Sequence, residues 1–341
     1  MIGKEKTMEM NNQPLVSVPV ITYNSSKFVL ETLESIKAQT YQNIELIISD
    51  DCSTDNTVEL CRKWVEENKE RFVRTQIITS ELNTGVSANL NRAEDVCQGE
   101  WVKGIAGDDM LMPNCIVDCV EYVQQHPNVI YLFGRIEAFG ATEEECKKWD
   151  SLFNYNLFTL TSEQLLHHLI FFANGIPAPT FFYKSTATDV KNDERIPLLE
   201  DWPKWINLMR NGARFYFLDK VLVNYRLAGI STRGRSSLKY YQSERLFRFY
   251  YLYPEWKKVD ENAAIKRIVE EECEIYNMLL DSESEEQTKI HRERDLYKKL
   301  YIRYIRQYNQ VVNSKAYRLG KFFMRPFRLL KNVQNILLNK T

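Results

Sequence analysis

Residues 44–57 read IELIISDDCSTDNT, an apolar and β-branched run that ends in two adjacent aspartates. Ile44–Ser49 has the length and composition of a buried strand. A helix is predicted from about Asp55, with Ser53 or Asp55 as its cap. In α/β sheets, ligands sit beyond the carboxyl ends of such strands. The stretch therefore favours an α/β protein with polar side chains collected at the end of this strand.

The same alternation of strand and helix extends to both sides. Leu15–Tyr23 predicts a strand, although Pro19 inside it indicates an edge or a bulge, and Lys27–Gln39 has apolar residues at helical spacing. The elements predicted downstream are a strand over 74–79, a helix over 86–97 and a strand over 101–106. Helices that alternate with short strands predict a largely parallel sheet. The polar clusters at 22–24, 50–55 and 107–109 each follow a predicted strand.

The second half of the chain has a looser pattern after about Phe133. Short strands are predicted over 181–183, 214–218 and 222–225. From about Ser236 onward the sequence is helical, rich in tyrosine and charged.

The composition excludes several classes of protein. With 44% hydrophobic and 27% charged residues, the chain is a packed globular protein and not a collagen or a disordered one. The formal net charge of −1 hides an asymmetry, because residues 287–341 hold 14 Lys and Arg against 2 acidic residues while the remainder holds 31 against 44. An acidic body argues against a nucleic-acid-binding protein.

The cysteines and the hydropathy indicate a reduced, cytosolic protein. The seven cysteines form no CxxC pair or Cys/His cluster of zinc spacing. Cys115 and Cys119 lie four apart in a helical pattern, for which a buried thiol pair is the favoured interpretation. No apolar run reaches the roughly 20 residues of a membrane span, and residues 1–13 lack the apolar centre of a signal peptide.

Four polar clusters carry candidate chemistry, and each has a purely structural alternative. The Asp50–Asp55 turn can bind a base or a ribose, or only cap a helix. The small residues of Asn83–Asn89 let a ligand approach the backbone, but any helix start can look similar. Gly107-Asp108-Asp109 suits Mg²⁺ or Mn²⁺, or is an exposed acidic turn. Glu200-Asp201 precedes a predicted helix, where Asp201 can be a general base, an N-cap or both.

Other catalytic signatures are missing from the sequence. It contains no GxxxxGK[ST], GxGxxG, HExxH or GxSxG motif. The histidines show no metal or triad spacing and are interpreted as structural or surface residues: His126, His167, His168 and His291.

The order of the clusters is more specific than any one of them. Between about Pro14 and Ser236 the chain carries, in sequence, LVSVPVITYN, AQTYQNIELIISDDCSTDNT, NTGVSANLNRAEDVCQGEWVKGIAGDDMLMP, LLEDWPKW and YRLAGIS. This series resembles the family 2 glycosyltransferases of the GT-A fold. Relatives also tolerate a proline in the first strand, so the strand prediction over Pro19 stands.

The resemblance implies a domain organisation. It predicts an α/β GT-A fold, a Rossmann-like and mostly parallel sheet flanked by helices, with a helical C-terminal extension. The implied parts are a flexible tail over 1–13, a glycosyltransferase domain over 14–235, a helical extension over 236–314 and a basic amphipathic tail over 315–341.

The resemblance also implies a nucleotide site. Thr22 and Asp51 match positions that contact the nucleotide base, and Tyr23 and Asn24 complete the first nucleotide-binding loop. The donor implied is a nucleotide-diphosphate sugar, in the first place a UDP-sugar. The acceptor implied is a saccharide or a polyprenyl-linked saccharide.

The catalytic residues are implied in the same way. Asp108 and Asp109 match an acidic pair that touches the ribose and a divalent cation, Mn²⁺ or Mg²⁺, on the diphosphate. Asp201 matches the general base, and Glu200 is its neighbour in a Glu-Asp motif. Together these residues imply an inverting transfer in which Asp201 deprotonates the acceptor hydroxyl.

Two positions depart from the family pattern. Ala106 stands where many relatives carry a further acid, so a weaker metal affinity is expected. Leu227 follows the Tyr-Arg pair, near where some relatives place a histidine on the diphosphate, and Arg233 and Arg235 on the next loop are candidate substitutes. These departures leave an alternative open, a catalytically impaired member that serves as a nucleotide-sugar-binding or scaffold subunit.

A basic amphipathic helix is predicted over Lys315–Leu338. Phe and Leu side chains share one face between lysines and arginines, and Gly320 and Pro326 would segment the helix. Such a helix suits an anionic membrane surface, and packing on the domain or on a second subunit, as in a homodimer, is the alternative. The prediction is a cytoplasmic protein held peripherally on the inner face of the membrane.

Overall fold

A computed structural model of the chain describes residues 13–187, 190–227 and 238–281. Its strands are β1 (Val16–Thr22), β2 (Ile44–Asp50), β3 (Arg74–Thr79), β4 (Trp101–Lys103), β5 (Ile105–Ala106), β6 (Met110–Leu111), β7 (Tyr131–Phe139), β8 (Phe182–Lys184) and β9 (Phe215–Arg226). Within these residues they form one sheet in the order β3-β2-β1-β4-β8-β7-β9-β6, and β5 pairs with β1.

The helices lie between and after these strands. In the described ranges they are α1 (Val29–Lys37), α2 (Thr57–Asn68), α3 (Val86–Glu94), α4 (Cys115–Gln125), α5 (Glu143–Asp150), α6 (Ser162–Phe171), α7 (Asp201–Arg210), α8 (Leu238–Phe247), α9 (Tyr253–Val259) and α10 (Glu261–Asp281). A π-helical turn, Arg248–Leu252, joins α8 to α9. None of the described helices combines the length and the apolar character that a membrane crossing requires.

The strand β1 lies inside the sheet although it contains a proline. It pairs in parallel with β2 along its whole length, where Pro19 faces Ile47. On its other side it pairs first with β4 and then with β5. Gly104 separates β4 from β5 beside the ring of Pro19, so the ladder is already open where Pro19 has no N–H to donate. The predicted strand is confirmed, and the indication of an edge is wrong.

The carboxyl ends of the parallel strands meet at one edge of the sheet. Thr22 lies opposite Asp50, Asp50 opposite Thr79 and Ile21 opposite Ala106. The turns that follow β1, β2 and β5 are therefore neighbours, which confirms the largely parallel arrangement predicted for this half. Antiparallel pairs of β8 with β4 and β7, and of β6 with β9, complete a mixed sheet.

Several predicted boundaries are wrong. β9 is one strand where two were predicted, because the exposed Asp219 and Lys220 lie where its register with β7 shifts past Gly134. A Cβ added to Gly134 would meet the Leu222 side chain at 2.5 Å, so the glycine lets the two strands pack closely. The helix predicted over 86–97 ends at Glu94, and the strand predicted over 101–106 is divided at Gly104.

Two buried clusters flank the sheet. One packs β1 and β2 against α1, α2 and α4, and it contains Cys115 and Cys119 as buried free thiols, as predicted. The other surrounds Trp205 on α7 and includes Phe247 and Trp256 from the helices after β9. The compact unit that contains the sheet ends at Ile275, and a second unit begins at Tyr276. The predicted domain boundary after residue 235 stays a prediction.

Candidate active site

The loops after β1 and β2 are fastened to each other by side chains of the predicted nucleotide site. Thr22 Oγ1 donates to Asp50 Oδ2 at 2.8 Å, and the Ser53 N–H donates to Asp50 Oδ1 at 2.8 Å. Asn24 adopts a left-handed φ of 50°, and its N–H donates to Ser53 Oγ at 2.7 Å. Tyr23 is 38% exposed beside these bonds. The hydroxyl of Thr22 is therefore engaged in holding the loop, whereas the ring of Tyr23 is accessible.

Asp51 is buried and accepts four hydrogen bonds. Its Oδ1 accepts from Thr84 Oγ1 at 2.6 Å and from Arg92 Nη2 at 2.9 Å. Its Oδ2 accepts from the N–H groups of Thr84 and Gly85 at 2.9 and 2.7 Å. These N–H groups precede α3, where a carboxylate is favoured by the helix dipole. Because a carboxylate has about four acceptor positions, Asp51 is occupied in fixing this turn and Arg92.

The first turn of α3 packs against the segment that leads to Asp201. Gly85 has a φ of 90°, and a Cβ there would lie 2.5 Å from that of Pro197. Ser87 Oγ donates to the carbonyl of Ile196 at 2.6 Å. The small residues of this turn therefore accommodate a protein backbone, which is an alternative to the ligand approach expected from sequence.

Arg226 holds the backbone of the acidic pair after β5. Its N–H donates to Asp109 Oδ1 at 2.8 Å, its Nε donates to the carbonyl of Asp108 at 2.7 Å, and its Nη2 lies 2.7 Å from Glu31 Oε2. The guanidinium also lies 4.4 Å from the ring centroid of Phe28. Asp108 and Asp109 are 4% and 2% exposed. Burial and the neighbouring Asp108 carboxylate raise the pKa of Asp109.

Replacing Arg226 by lysine tests whether this residue positions the acidic pair. Lysine keeps the charge but loses the planar fork, so we expect Arg226→Lys to lower the free energy of unfolding by about 1–3 kcal/mol. We also expect more Mn²⁺ to be needed for half-maximal binding of UDP, measured by titration calorimetry. Arg135→Lys, at an exposed pair with Asp219, is the control. An unchanged Mn²⁺ requirement in Arg226→Lys contradicts the positioning role.

Asp201 is the first residue of α7, and Glu200 occupies the cap position without a capping hydrogen bond from its side chain. Asp201 Oδ1 accepts from the Trp202 N–H at 2.7 Å, and Oδ2 accepts from Asn174 Nδ2 at 2.8 Å. Two donors thus orient the carboxylate. Asn174 was not found from sequence, because it lies in a stretch without a recognisable pattern.

A buried ion pair fixes α7 to α3. Lys204 Nζ lies 3.0 Å from Glu94 Oε1, and the two side chains are 9% and 7% exposed. Lys204 is one helical turn after Asp201, and Glu94 ends α3, the helix that follows the turn bound to Asp51. The pair therefore links the orientation of the predicted base to the predicted nucleotide side of the site.

Breaking this pair is expected to destabilise the protein strongly. Lys204→Met leaves Glu94 buried without its partner, which should lower the free energy of unfolding by about 3–5 kcal/mol. Adding Glu94→Gln should recover part of the loss, since no unpaired charge then remains. Urea denaturation of the two single variants and the double variant measures this coupling, and additive losses would contradict it.

The donor set of the acidic pair fits a hard divalent cation. Mg²⁺ and Mn²⁺ prefer oxygen ligands, and Mg²⁺ commonly takes one or two carboxylates together with water and substrate phosphates. Asp108 and Asp109 offer such oxygens. Burial first, and then the neighbouring Asp108 carboxylate, raise the pKa of Asp109, and a cation would offset the second of these effects. Within the described ranges no cluster of three or more His, Cys, Asp or Glu side chains could hold a metal. The predicted phosphate contacts Arg233 and Arg235 lie outside the described residues.

The mostly parallel sheet flanked by helices, with polar loops at its carboxyl edge and an acidic pair after β5, has the arrangement of the GT-A fold. Residues 17–183 match the family model described as Glycosyl transferase family 2. The chain thus carries a family 2 glycosyltransferase domain, and it is a glycosyltransferase.

Individual proteins show the same relationship. An uncharacterized glycosyltransferase of Haemophilus influenzae is 29% identical over 65% of this chain and 68% of its own length. The putative teichuronic acid biosynthesis glycosyltransferase TuaG of Bacillus subtilis is 24% identical over 76% of this chain and 99% of its own. The structure of S. aureus TarS 1-349 in complex with UDP-GlcNAc is similar with a TM-score of 0.52 and 20% identity, covering 81% of this chain and 69% of that one. At this identity the likeness shows the fold.

Proposed function

We propose that this chain transfers a sugar, with inversion, from a UDP-sugar to a hydroxyl of a saccharide or lipid-linked saccharide. The observation that carries the proposal is a continuous set of contacts between the two halves of the site. Asp51 holds the turn before α3, that turn packs on Pro197, and the segment after Pro197 leads to Asp201. The predicted donor side and the predicted base are thereby connected by direct contacts.

The donor side is formed by the loops after β1 and β2. Thr22 and Asp51 were predicted to contact the base. Their hydrogen bonds within the protein favour an indirect role, in which they fix the loops that would surround the base. The exposed ring of Tyr23 is suited to stack on a base, with Asn24 fixing its loop. Arg92, held by Asp51, presents a partly exposed guanidinium at the same place.

The diphosphate side is formed by the acidic pair. Asp108, aided by Asp109, would hold Mn²⁺ or Mg²⁺, with the pair kept in place by Arg226. When bound, the cation supplies positive charge against the charge that develops on the leaving diphosphate. Arg233 and Arg235 remain the predicted additional phosphate contacts.

The acceptor side is formed by the start of α7. Asp201 accepts the proton of the acceptor hydroxyl as that oxygen attacks the anomeric carbon from the face opposite the diphosphate. The carbon passes through an oxocarbenium-like state, and a single displacement inverts its configuration. Asn174 and the Trp202 N–H hold the carboxylate in place during this step, and Glu200 flanks it.

The name of TuaG and the UDP-GlcNAc complex of TarS support a bacterial surface polysaccharide as the product and UDP as the nucleotide. Thermal unfolding with UDP and Mn²⁺ tests the nucleotide site. We expect UDP with Mn²⁺ to raise Tm, and UDP with EDTA to raise it much less. The same titration with ADP is the control, and equal shifts with ADP would contradict a uridine-specific pocket. Binding of UDP without any turnover would support the alternative of a catalytically impaired binding subunit.

We further propose that the basic segment 315–341 holds the protein on the cytoplasmic face of a membrane. This segment lies outside the described residues, and the support is its pattern of basic and apolar residues. With each basic residue near an anionic surface worth about 1 kcal/mol, truncation after Ser314 should abolish sedimentation with vesicles of phosphatidylglycerol. Vesicles of phosphatidylcholine are the control, and unchanged sedimentation of the truncated chain contradicts the proposal.

A further inference from the structure

The C-terminal turn of α6 lies against the N-terminal turn of α7. Trp202 Nε1 donates to the carbonyl of Leu169 at 2.8 Å, and Asn174 Nδ2 donates to Asp201 Oδ2 at 2.8 Å. The segment from Leu169 to Asn174 is therefore tied at both ends to the first two residues of α7, and its Asn174 end contacts the carboxylate that we propose as the base.

The same turn carries the most exposed aromatic ring of the described residues. Phe172 is 65% exposed, and its ring is stacked on that of His168 with 5.4 Å between centroids and 21° between planes. His167 lies against the same ring at 6.0 Å. The apolar side of α6, with Leu165, Leu169 and Ile170, faces the core instead. The rings of Phe172 and the two histidines thus form a surface patch, and Phe172 precedes Asn174, the hydrogen-bond partner of Asp201, by two residues.

This patch is one wall of an open groove of about 390 Å³. Planar polar side chains surround the aromatic surface of the groove. The residues that line the groove are Leu160, Glu163, Gln164, His167, His168 and Phe172. Glu163 and Gln164 are exposed, and the oxygen of Gln164 accepts from the Thr161 N–H at 3.0 Å. Burial, followed by the neighbouring His167, lowers the pKa of His168. This favours the neutral imidazole, which can both donate and accept a hydrogen bond.

The chemistry of this groove matches that of a pyranose ring. A sugar presents an apolar face of C–H groups, which packs on the electron-rich face of an aromatic ring. It also presents a rim of hydroxyls, which pair with carboxylate, amide and imidazole groups. Ligand sites commonly combine an apolar wall with a few polar groups and have volumes of about 300–1,000 Å³.

We infer that the groove on α6 binds a sugar residue of the acceptor and guides its hydroxyl to Asp201, with Phe172 as the stacking platform. This inference rests on the proposed function and extends it, since it assigns the acceptor side to a saccharide that is recognised through its ring face. The anionic head group of a lipid would not pack on an uncharged aromatic ring in this way.

Saturation-transfer NMR on the full chain tests this inference without any donor. The probes are the methyl β-glycosides of glucose, galactose and N-acetylglucosamine. We expect saturation of the ring protons of at least one glycoside, a weaker signal at the same glycoside concentration in Phe172→Ala, and an undiminished signal in Phe172→Tyr, which keeps the ring. Phe249→Ala, at another exposed ring, is the control. No saturation of any of the three glycosides by the wild-type chain overturns the inference.

Kinetics then separate this inference from the proposed function. Hydrolysis of the UDP-sugar by water needs no acceptor and reports on the donor side alone. Phe172→Ala should raise the KM for the bound glycoside by about 2–10-fold, as expected for one aromatic contact of about 0.5–1.5 kcal/mol. Unchanged glycoside KM in an enzyme that still hydrolyses the donor overturns the groove assignment alone. Absence of UDP release by the wild-type chain, both with water alone and with the bound glycoside as acceptor, overturns the proposed function. A change of oligomeric state in Phe172→Ala, seen by light scattering, identifies the patch as a contact between copies of the chain and also overturns the inference.

Discussion

Asp201→Asn is expected to lower kcat by about 10²–10⁴-fold, because a positioned general base contributes that much to a proton-transfer step. Asparagine preserves the size of the side chain, and its oxygen can still accept from the Trp202 N–H, while its NH2 group replaces the oxygen that accepts from Asn174. The fold and the KM for the donor should therefore change little. The measurement is release of UDP from a UDP-sugar in the presence of Mn²⁺.

Asp260→Asn is the matched control for this variant. Asp260 precedes α10, where its Oδ1 accepts from the N–H groups of Asn262 and Ala263, and asparagine caps a helix equally well. Turnover by Asp201→Asn near the wild-type level would show that another group takes the proton. Loss of turnover in Asp260→Asn as well would show that the effect is not specific to the proposed base.

Asp108→Asn is expected to produce the second large effect, on both metal and nucleotide. It removes one negative charge from the oxygen donors that would hold the cation, while the carbonyl of Asp108 still accepts from Arg226. We expect kcat/KM to fall by about 10²–10³-fold, which is typical for the loss of one group that stabilises developing charge. The stabilisation of the fold by UDP should no longer depend on Mn²⁺.

The control for Asp108→Asn is Asp219→Asn, which makes the same change at an exposed residue of β9 that pairs with Arg135. It should leave kcat/KM and the Mn²⁺ dependence unchanged. An Asp108→Asn variant whose UDP binding still requires Mn²⁺ would place the cation on other residues and would contradict the role proposed for this carboxylate.

The parallel half of the fold could be predicted because its determinants are local. Ile44–Asp50 is buried along its whole length, and a continuous apolar run of strand length has few alternatives. The polar residues that follow each strand could be assigned to one edge of the sheet because they are also local features of the sequence. Asp219 and Lys220 misled the prediction, since a charged pair inside a strand has the same appearance as a turn and only the pairing with β7 distinguishes the two.

The roles of the site residues depend on contacts between distant parts of the chain. Asp51 is saturated by donors from Thr84, Gly85 and Arg92, and nothing in the sequence around Asp51 indicates those partners. Asn174 reaches Asp201 from 27 positions away. From sequence, Arg226 could be recognised only as part of the Tyr225-Arg226 pair. Its hydrogen bond to Asp109 depends on how β6 pairs with β9, which the sequence does not indicate.

The anomeric configuration of the first product formed from a UDP-sugar tests the central claim most directly. UDP-GlcNAc, UDP-glucose and UDP-galactose have α-linked sugars, so proton NMR of their hydrolysis or transfer, recorded before mutarotation, reports whether configuration changes. We expect a β-configured product that appears together with UDP, requires Mn²⁺ or Mg²⁺ and is lost in Asp201→Asn. An α-configured first product, or no UDP formed from any of the three donors by the folded protein, would contradict it.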